Sequence, residues 1–243
     1  MIFQLNKIFL LIRKVENKVR KYFGNHSKLL SSKKMLEINF EEKSNFKFIQ
    51  IGANDGVSFD FLYEFVVCRE SQGLVIEPIK EYYDELLKNY SEYPEIFAIN
   101  IAVHPTIKKT YIYKIKPSVI TNYPDWVKGI ASLDSEHHKK TDIKSEDIIK
   151  EEVMADALMN IISDNKFIME IDYLQSDTEG FDLEILRMID FSIIKPKIIK
   201  FEYINLSDSD KITANELLRD NGYYLFNEYG DTVGVNLKAI KLF

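Results

Sequence analysis

The stretch FIQIGANDGVSFD, residues 48–60, is where the architecture of the chain first becomes readable. An apolar run of β character ends at Ile51, the small or turn-forming residues Gly52, Asn54 and Gly56 follow, and a helical apolar pattern starts soon after. Such a run predicts a strand, a tight turn and a helix, with turn amides bare enough to approach a ligand near the helix N-terminus. The spacing is G-x-N-x-G, not the dinucleotide pattern G-x-G-x-x-G, and no G-x-x-x-x-G-K-[ST] phosphate loop occurs anywhere. Taken alone, the motif is equally consistent with a plain βα turn.

Working outward, short apolar runs alternate with longer helical ones, the pattern of βα units and a mainly parallel sheet. Strands are expected at residues 46–51, 73–77, 95–102, 172–177 and 197–203, and helices at 58–69, 79–91, 180–190 and 211–221. Residues 223–242 read as two strands around a turn containing Gly230 and Asp231, an antiparallel hairpin that closes the sheet. Residues 103–170 interrupt the rhythm. KTYIYKI (109–115) is an extra strand, residues 116–140 hold Trp126 and two histidines without periodicity, and residues 151–162 give a short strand and a helix. A loop of that length is usually functional or disordered, and the apolar Tyr123, Trp126 and Ile130 favour a partly ordered lid. The expected organisation is a helical arm over residues 1–34 and one domain over 35–243, with a substrate lid inserted at about 104–150.

A chain of 243 residues with 46% hydrophobic and 29% charged residues has the composition of a globular protein able to bury a full core. The single cysteine, Cys68, has no partner for an internal disulfide and fits a reducing compartment such as the cytoplasm. The net charge of −6 conceals an asymmetry, because residues 1–34 carry nine Lys or Arg against Glu16 alone and leave −14 on the remainder. The body is therefore a poor surface for nucleic acid. In the arm, Leu5, Ile8, Phe9, Ile12, Val15, Val19, Tyr22 and Phe23 recur at helical spacing between basic residues. Its apolar run is too short for a span, which needs roughly 20 apolar residues, and no cleavage site follows. The stripe therefore packs on the domain or a second copy of the chain, or lies on an anionic membrane surface.

Three strand ends carry groups suited to a nucleoside. Glu77, in VIEP, lies 21 positions beyond Gly56, where an open α/β sheet places the acid that accepts from ribose hydroxyls. It is equally a solvated strand-end acid before the helix-starting Pro78. Asn100 and Ala102, in FAINIAVHP, would then flank an adenine edge.

The blocks FIQIGANDG, LVIEP, INIAV, GIASLD and LQSDTEGFDLEILRMIDF resemble the FkbM family of S-adenosylmethionine-dependent methyltransferases over roughly residues 46–205. That resemblance implies a class I, Rossmann-like, seven-stranded sheet of α/β class, with S-adenosylmethionine as cofactor. It also implies roles for individual residues. Gly52, Ala53, Asn54 and Gly56 become the methionine and ribose loop, Glu77 and Pro78 the ribose end, Asn100 and Ala102 the adenine wall, and Asp177 the strand-four acid near the reacting centre. Gln50 stands where many such enzymes carry an acid, and its amide can still accept a hydrogen bond.

A sugar-like hydroxyl attacking a methyl group needs its proton removed as the bond forms. Asp177 and Glu179, where the fourth strand gives way to a helix, are the first candidates, with His137, His138 and His104 as alternatives. Each has a plainer reading, since Asp177 or Thr178 could cap the helix, Glu179 could favour its dipole, and a loop histidine is commonly just solvated. Ser132, in GIASLD, gains interest only from the resemblance. The histidines lack ligand spacing and no Cys/His cluster exists, so no metal site is expected. The leading expectation is an O-methyltransferase acting on a carbohydrate or glycolipid precursor, cytoplasmic or peripheral to the inner membrane surface. Its rivals are a nicotinamide-dependent oxidoreductase and a catalytically silent, membrane-associated binding module.

Overall fold

The computed structural model describes residues 2–22, 30–41, 45–58, 61–106, 108–165 and 170–242. The strands run in chain order as β1 (Lys47–Ile51), β2 (Gln72–Ile76), β3 (Ile96–Ile99), β4 (Ala102–Val103), β5 (Lys109–Ile115), β6 (Ala131–Ser132), β7 (Ile148–Asp156), β8 (Tyr173–Ser176), β9 (Ile198–Glu202), β10 (Tyr224–Glu228) and β11 (Asp231–Val235). The helices are α1 (Ile2–Tyr22), α2 (Ser32–Phe40), α3 (Leu62–Val67), α4 (Lys80–Asn89), α5 (Leu158–Asp164), α6 (Asp182–Arg187) and α7 (Asp208–Asp220).

Seven strands form one sheet in the order β10-β11-β9-β8-β1-β2-β3, and β11 alone runs against the rest. Its parallel strands are apolar on both faces because both are covered. Ile49, Ile51, Leu74, Ile76, Leu174, Ile199 and Phe201 face α5, α6 and α7. Phe48, Val75, Tyr173 and Ile198 point the other way, against α2, α3 and α4. From β1 the strand order proceeds to β2 and β3 on one side and to β8 and β9 on the other. The β1/β8 boundary is therefore a switch point, beyond whose carboxyl ends open sheets hold their ligands.

The segment expected as one strand over 95–102 is divided. Asn100 Nδ2 donates to the carbonyls of Glu77 and Pro78, both at 2.9 Å, and turns the chain out of the sheet after Ile99. β4 then joins a second sheet in the order β4-β7-β5-β6. β5 and β7 pair antiparallel from Lys109↔Met154 to Ile115↔Ile148, and residues 116–147 pass between them through short 3-10 turns around a cluster of Ile115, Val127, Ile130 and Ile143. Helix boundaries moved for local reasons. The Ser207 side chain accepts from the Asp210 amide and starts α7 ahead of the expected residue 211. The helix expected over 58–69 is described from Leu62, residues 59 and 60 lying outside the described residues.

The amphipathic helix α1 has two apolar faces. Phe3, Phe9 and Leu10 pack against the sheet's second core, and the buried Asn6 between them donates to the carbonyls of Leu237 and Ile240 at 3.0 and 2.6 Å. Leu5, Ile8, Leu11 and Ile12 are exposed. The side chains of Val15, Val19, Tyr22 and Phe23 lie outside those described. Among the described residues, no helix is long and apolar enough to cross a membrane.

Replacing Asn6 with Ala removes both donors and the Oδ1 that accepts from the Leu242 amide at 3.3 Å. Urea denaturation should show a loss of about 1–3 kcal/mol, the cost of leaving buried backbone groups unpaired.

Candidate active site

The loop after β1 is shaped by one close approach. Gly52 has φ +73°, and a Cβ there would lie 1.9 Å from the Asp177 carbonyl oxygen. Only glycine lets the chains leaving β1 and β8 run this close. The Gly52 and Ala53 amides both donate to the Ile76 carbonyl at 3.0 Å, and the Asp177 amide donates to the Ile51 carbonyl at 3.0 Å, so three strand ends are tied together. Asn54, at φ 50°, donates its backbone amide to Glu77 Oε2 at 2.9 Å and its side-chain amide to the Lys128 carbonyl at 3.1 Å, joining the loop to β2 and to the inserted segment.

Beyond these strand ends lies a cavity of about 580 Å³. Gln50, Gly52, Ala53, Asn54, Glu77, Pro78, Ala102, Asp177, Glu179 and His137 all line it. Two expected residues do not. Gly56, at φ +79°, turns towards Leu86 and Tyr90, where a Cβ would lie 2.6–2.7 Å from their side chains. Asn100 has turned its amide onto the backbone of Glu77 and Pro78 and acts on the cavity through them. Among the other histidines, His104 stacks on Phe181, and His138 is held by the Ser135 carbonyl and Ser145 Oγ.

The cavity has two chemically different regions. At one, Glu77 is 5% exposed and accepts from the amides of Asn54 and Ile79, while burial pushes its carboxyl up to about 7 against those bonds and the charge of Lys114. Ile79, Ala102 and Ile112 supply the apolar wall beside it.

At the other, Asp177, Glu179 and Glu202 gather, each offering an oxygen within 4.8 Å of the others. Water reaches Asp177 from the cavity although protein surrounds it elsewhere. That enclosure, with Glu179, Asp182 and Asp231 nearby, holds its carboxyl well above the ordinary range against the charge of Lys200. Burial, then the charges of Asp177, Glu179 and Asp182, raises Glu202 to about 9 against its hydrogen bond from Asn205. Glu179 sits at φ 53°, a left-handed conformation unusual for a side-chain-bearing residue. Its carbonyl accepts from Ser132 Oγ at 2.9 Å, and its Oε2 meets His137 Nε2 at 3.0 Å and Asn205 Nδ2 at 2.8 Å. Neither Asp177 nor Thr178 caps α6. The buried Asp182 takes the tying role, accepting from Ser176 Oγ at 2.5 Å and the Thr178 amide at 3.3 Å.

Glu202, Asn205, Lys200 and Asp231 were not anticipated. Glu202 ends the fifth parallel strand, so the strand-end rule that found Glu77 would have found it as well. Asp231, paired with Lys200 at 3.0 Å, arrives from the antiparallel β11, which no spacing along the chain signals.

The sheet order and a cavity at its switch point, with one acid just beyond β2 and another just beyond β8, match the fold of the class I S-adenosylmethionine-dependent methyltransferases. The methyltransferase FkbM domain matches residues 50–225, and the chain belongs to that family. It is a methyltransferase that uses S-adenosylmethionine, and the nicotinamide-dependent alternative is set aside. Similar solved structures include methyltransferase FkbM from Methylobacillus flagellatus KT, at 15% identity over 78% of this chain and 43% of that one, with a TM-score of 0.45. The fibrillarin pre-rRNA processing protein of Methanococcus jannaschii shares 13% identity over 79% of this chain and 67% of that one, with a TM-score of 0.42. Aeropyrum pernix fibrillarin, solved with natively bound S-adenosyl-L-methionine, shares 9% over 79% and 66%, with a TM-score of 0.40. No curated protein sequence matches.

Two outcomes follow from this geometry. Gly52→Ala drives a Cβ into backbone and should cost about 3 kcal/mol or more in chemical denaturation. Glu77 has a raised folded pKa, so its contribution to stability is full below about 4.5 and is lost as pH rises through about 7. Between pH 5 and 8 the ligand-free wild type should therefore lose stability relative to Glu77→Gln, by on the order of 3 kcal/mol in paired urea titrations.

Proposed function

We propose that the chain methylates a hydroxyl of a carbohydrate or glycolipid precursor. The reading is carried by one observation: a single cavity joins a nucleoside-type region around Glu77 to a carboxylate region around Asp177. S-adenosylmethionine supplies an electrophilic methyl group together with its own leaving group. The protein's work is then to hold, align and remove a proton.

Glu77, fixed by two backbone amides, accepts from the ribose hydroxyls, and its negative form is the better acceptor. Ile79, Ala102 and Ile112 take the base, while Gly52, Ala53 and Asn54 bring backbone close to the remainder. Gln50 replaces a charged contact to the methionine end with a neutral one. Asp177 faces the cavity and accepts no hydrogen bond from any described residue. A carboxylate raised towards neutrality in that position is suited to take the acceptor's proton. His137 and Asn205 act as positioning residues, meeting the same Glu179 oxygen and fixing that carboxylate beside Asp177. Trp126, half exposed and lining the cavity, offers an apolar face to a sugar ring, and the polar Lys140 and Thr141 line the same cavity.

The exposed Leu5, Ile8, Leu11 and Ile12 on a strongly basic segment support contact with an anionic membrane surface, where a glycolipid acceptor would be presented. Sedimentation with anionic liposomes should retain the wild type and release the Leu5→Ser/Ile8→Ser/Leu11→Ser/Ile12→Ser variant. Equal retention removes the membrane from this reading.

Calorimetry with S-adenosylmethionine should show Glu77→Ala weakening binding by about 2 kcal/mol or more, since it removes a charge-assisted acceptor. Asp177→Asn should bind with little change and turn over about 100-fold more slowly or worse. The acceptor itself is sought by mass spectrometry of cell extracts incubated with protein and cofactor, reading products that gain one methyl group. Unaltered cofactor binding in Glu77→Ala would refute the assignment of the nucleoside region.

A further inference from the structure

The carboxylate end of the cavity crowds three acidic side chains together. Asp177, Glu179 and Glu202 present oxygens within 4.8 Å of one another. Among the described residues no Lys or Arg pairs with any of them, since Lys200 is engaged with Asp231 and the amine of Lys140 donates to the Asn205 carbonyl. Asn205 Nδ2 bridges Glu179 Oε2 and Glu202 Oε1 at 2.8 and 2.6 Å, presenting two of the carboxylates to each other.

A separate observation concerns hydrogen bonding. Glu202 is 8% exposed, and its Oε2 is buried without a hydrogen-bond partner among the described residues. A buried acceptor left unpaired costs about 1–3 kcal/mol, more when charged, and native structures seldom leave one without cause. At the same site His137 is 3% exposed, with its Nδ1 also unpartnered among the described residues and its Nε2 against Glu179.

We propose that Asp177, Glu179 and Glu202 form a divalent cation site at the floor of the cavity, each contributing one carboxylate oxygen. An all-oxygen donor set selects a hard cation such as Mg²⁺, Mn²⁺ or Ca²⁺. Metal–oxygen distances of about 2.1–2.6 Å place ligand oxygens no more than about 4.2–5.2 Å apart, so the observed separation closes around such an ion with small side-chain movement. Three protein ligands leave coordination positions open towards the cavity, where water or two neighbouring hydroxyls of an acceptor fit. A hydroxyl bound there has a lowered pKa, which eases its deprotonation. The acceptor part of this inference rests on the function proposed above, and the ion site does not.

The test uses the full chain, treated with EDTA and desalted, titrated with Mn²⁺ and followed by the electron paramagnetic resonance signal of the free ion. One site per chain of submillimolar affinity is expected. Glu202→Gln and Asp177→Asn should each weaken it by about tenfold or more through loss of a charged ligand, and the exposed Glu152→Gln should not. No binding by the wild type, or equal binding in both cluster variants, overturns the site. Near-UV circular dichroism accompanies each variant. If Glu202→Gln loses its tertiary signal, Asp177→Asn, whose side chain accepts no hydrogen bond, decides the matter. Calorimetry with S-adenosylmethionine on the same preparations separates the two proposals. Cofactor binding without Mn²⁺ binding ends the ion site and leaves the nucleoside region as assigned, whereas Mn²⁺ binding without cofactor binding leaves the ion site and ends that assignment.

Discussion

The contact between the Gly52 backbone and the Asp177 carbonyl holds the two halves of the sheet at the separation the cavity requires. β1 and β8 are hydrogen-bonded neighbours, yet the chains leaving them turn to opposite sides, so a side chain at residue 52 would push them apart. With no Cβ there, Asp177 arrives beside the loop that carries Asn54, and Asn54 in turn holds Glu77 through its backbone amide. The loop, the β2 acid and the β8 acid are thus consequences of one steric allowance.

That arrangement also explains why the carboxyl groups behave so differently from those on the surface. Glu77 is desolvated but held by two amides, and it is stranded near neutrality until hydroxyl donors approach it. Asp177, which water reaches only from the cavity, and the buried Glu202 both sit among carboxyl groups, Glu179 and Asp182 acting on each, Asp231 on the first and Asp177 on the second. Mutual repulsion in an enclosed space keeps protons on the group or draws in a cation, and both responses are useful where a hydroxyl must become a nucleophile. Asp156, at the surface, shows the opposite behaviour: hydrogen bonds from Asn160 and Lys108 lower it to about 2.

The inserted segment is part of the cavity wall. β5 and β7 carry it away from the main sheet, and it returns through Ser132 to the Glu179 carbonyl, through the Lys128 carbonyl to Asn54, and through Lys140 to Asn205. Each return contact lands on a residue next to, or within, the two polar regions. A change in this segment's position would therefore be felt at the strained Glu179 backbone and at the Asn54 loop together.

The sequence alone determined the alternation of strands and helices, because strands covered on both faces must be continuously apolar and the turns between them must carry small or polar residues. It also placed Gly52, Glu77 and Asp177 at strand ends, and the FkbM blocks named the family the chain belongs to. It did not determine which strand-end groups share a cavity. Asn100, which reads like an adenine contact, turned out to hold the backbone of Glu77 and Pro78, and Gly56 proved to serve packing against Leu86 and Tyr90. The gathering of Glu202, Asn205 and Asp231 around Asp177 was decided only by the tertiary structure. Periodicity reports which face a residue takes on its own element, whereas charge proximity depends on which elements become neighbours, and β11 enters between β9 and β10 from the far end of the chain.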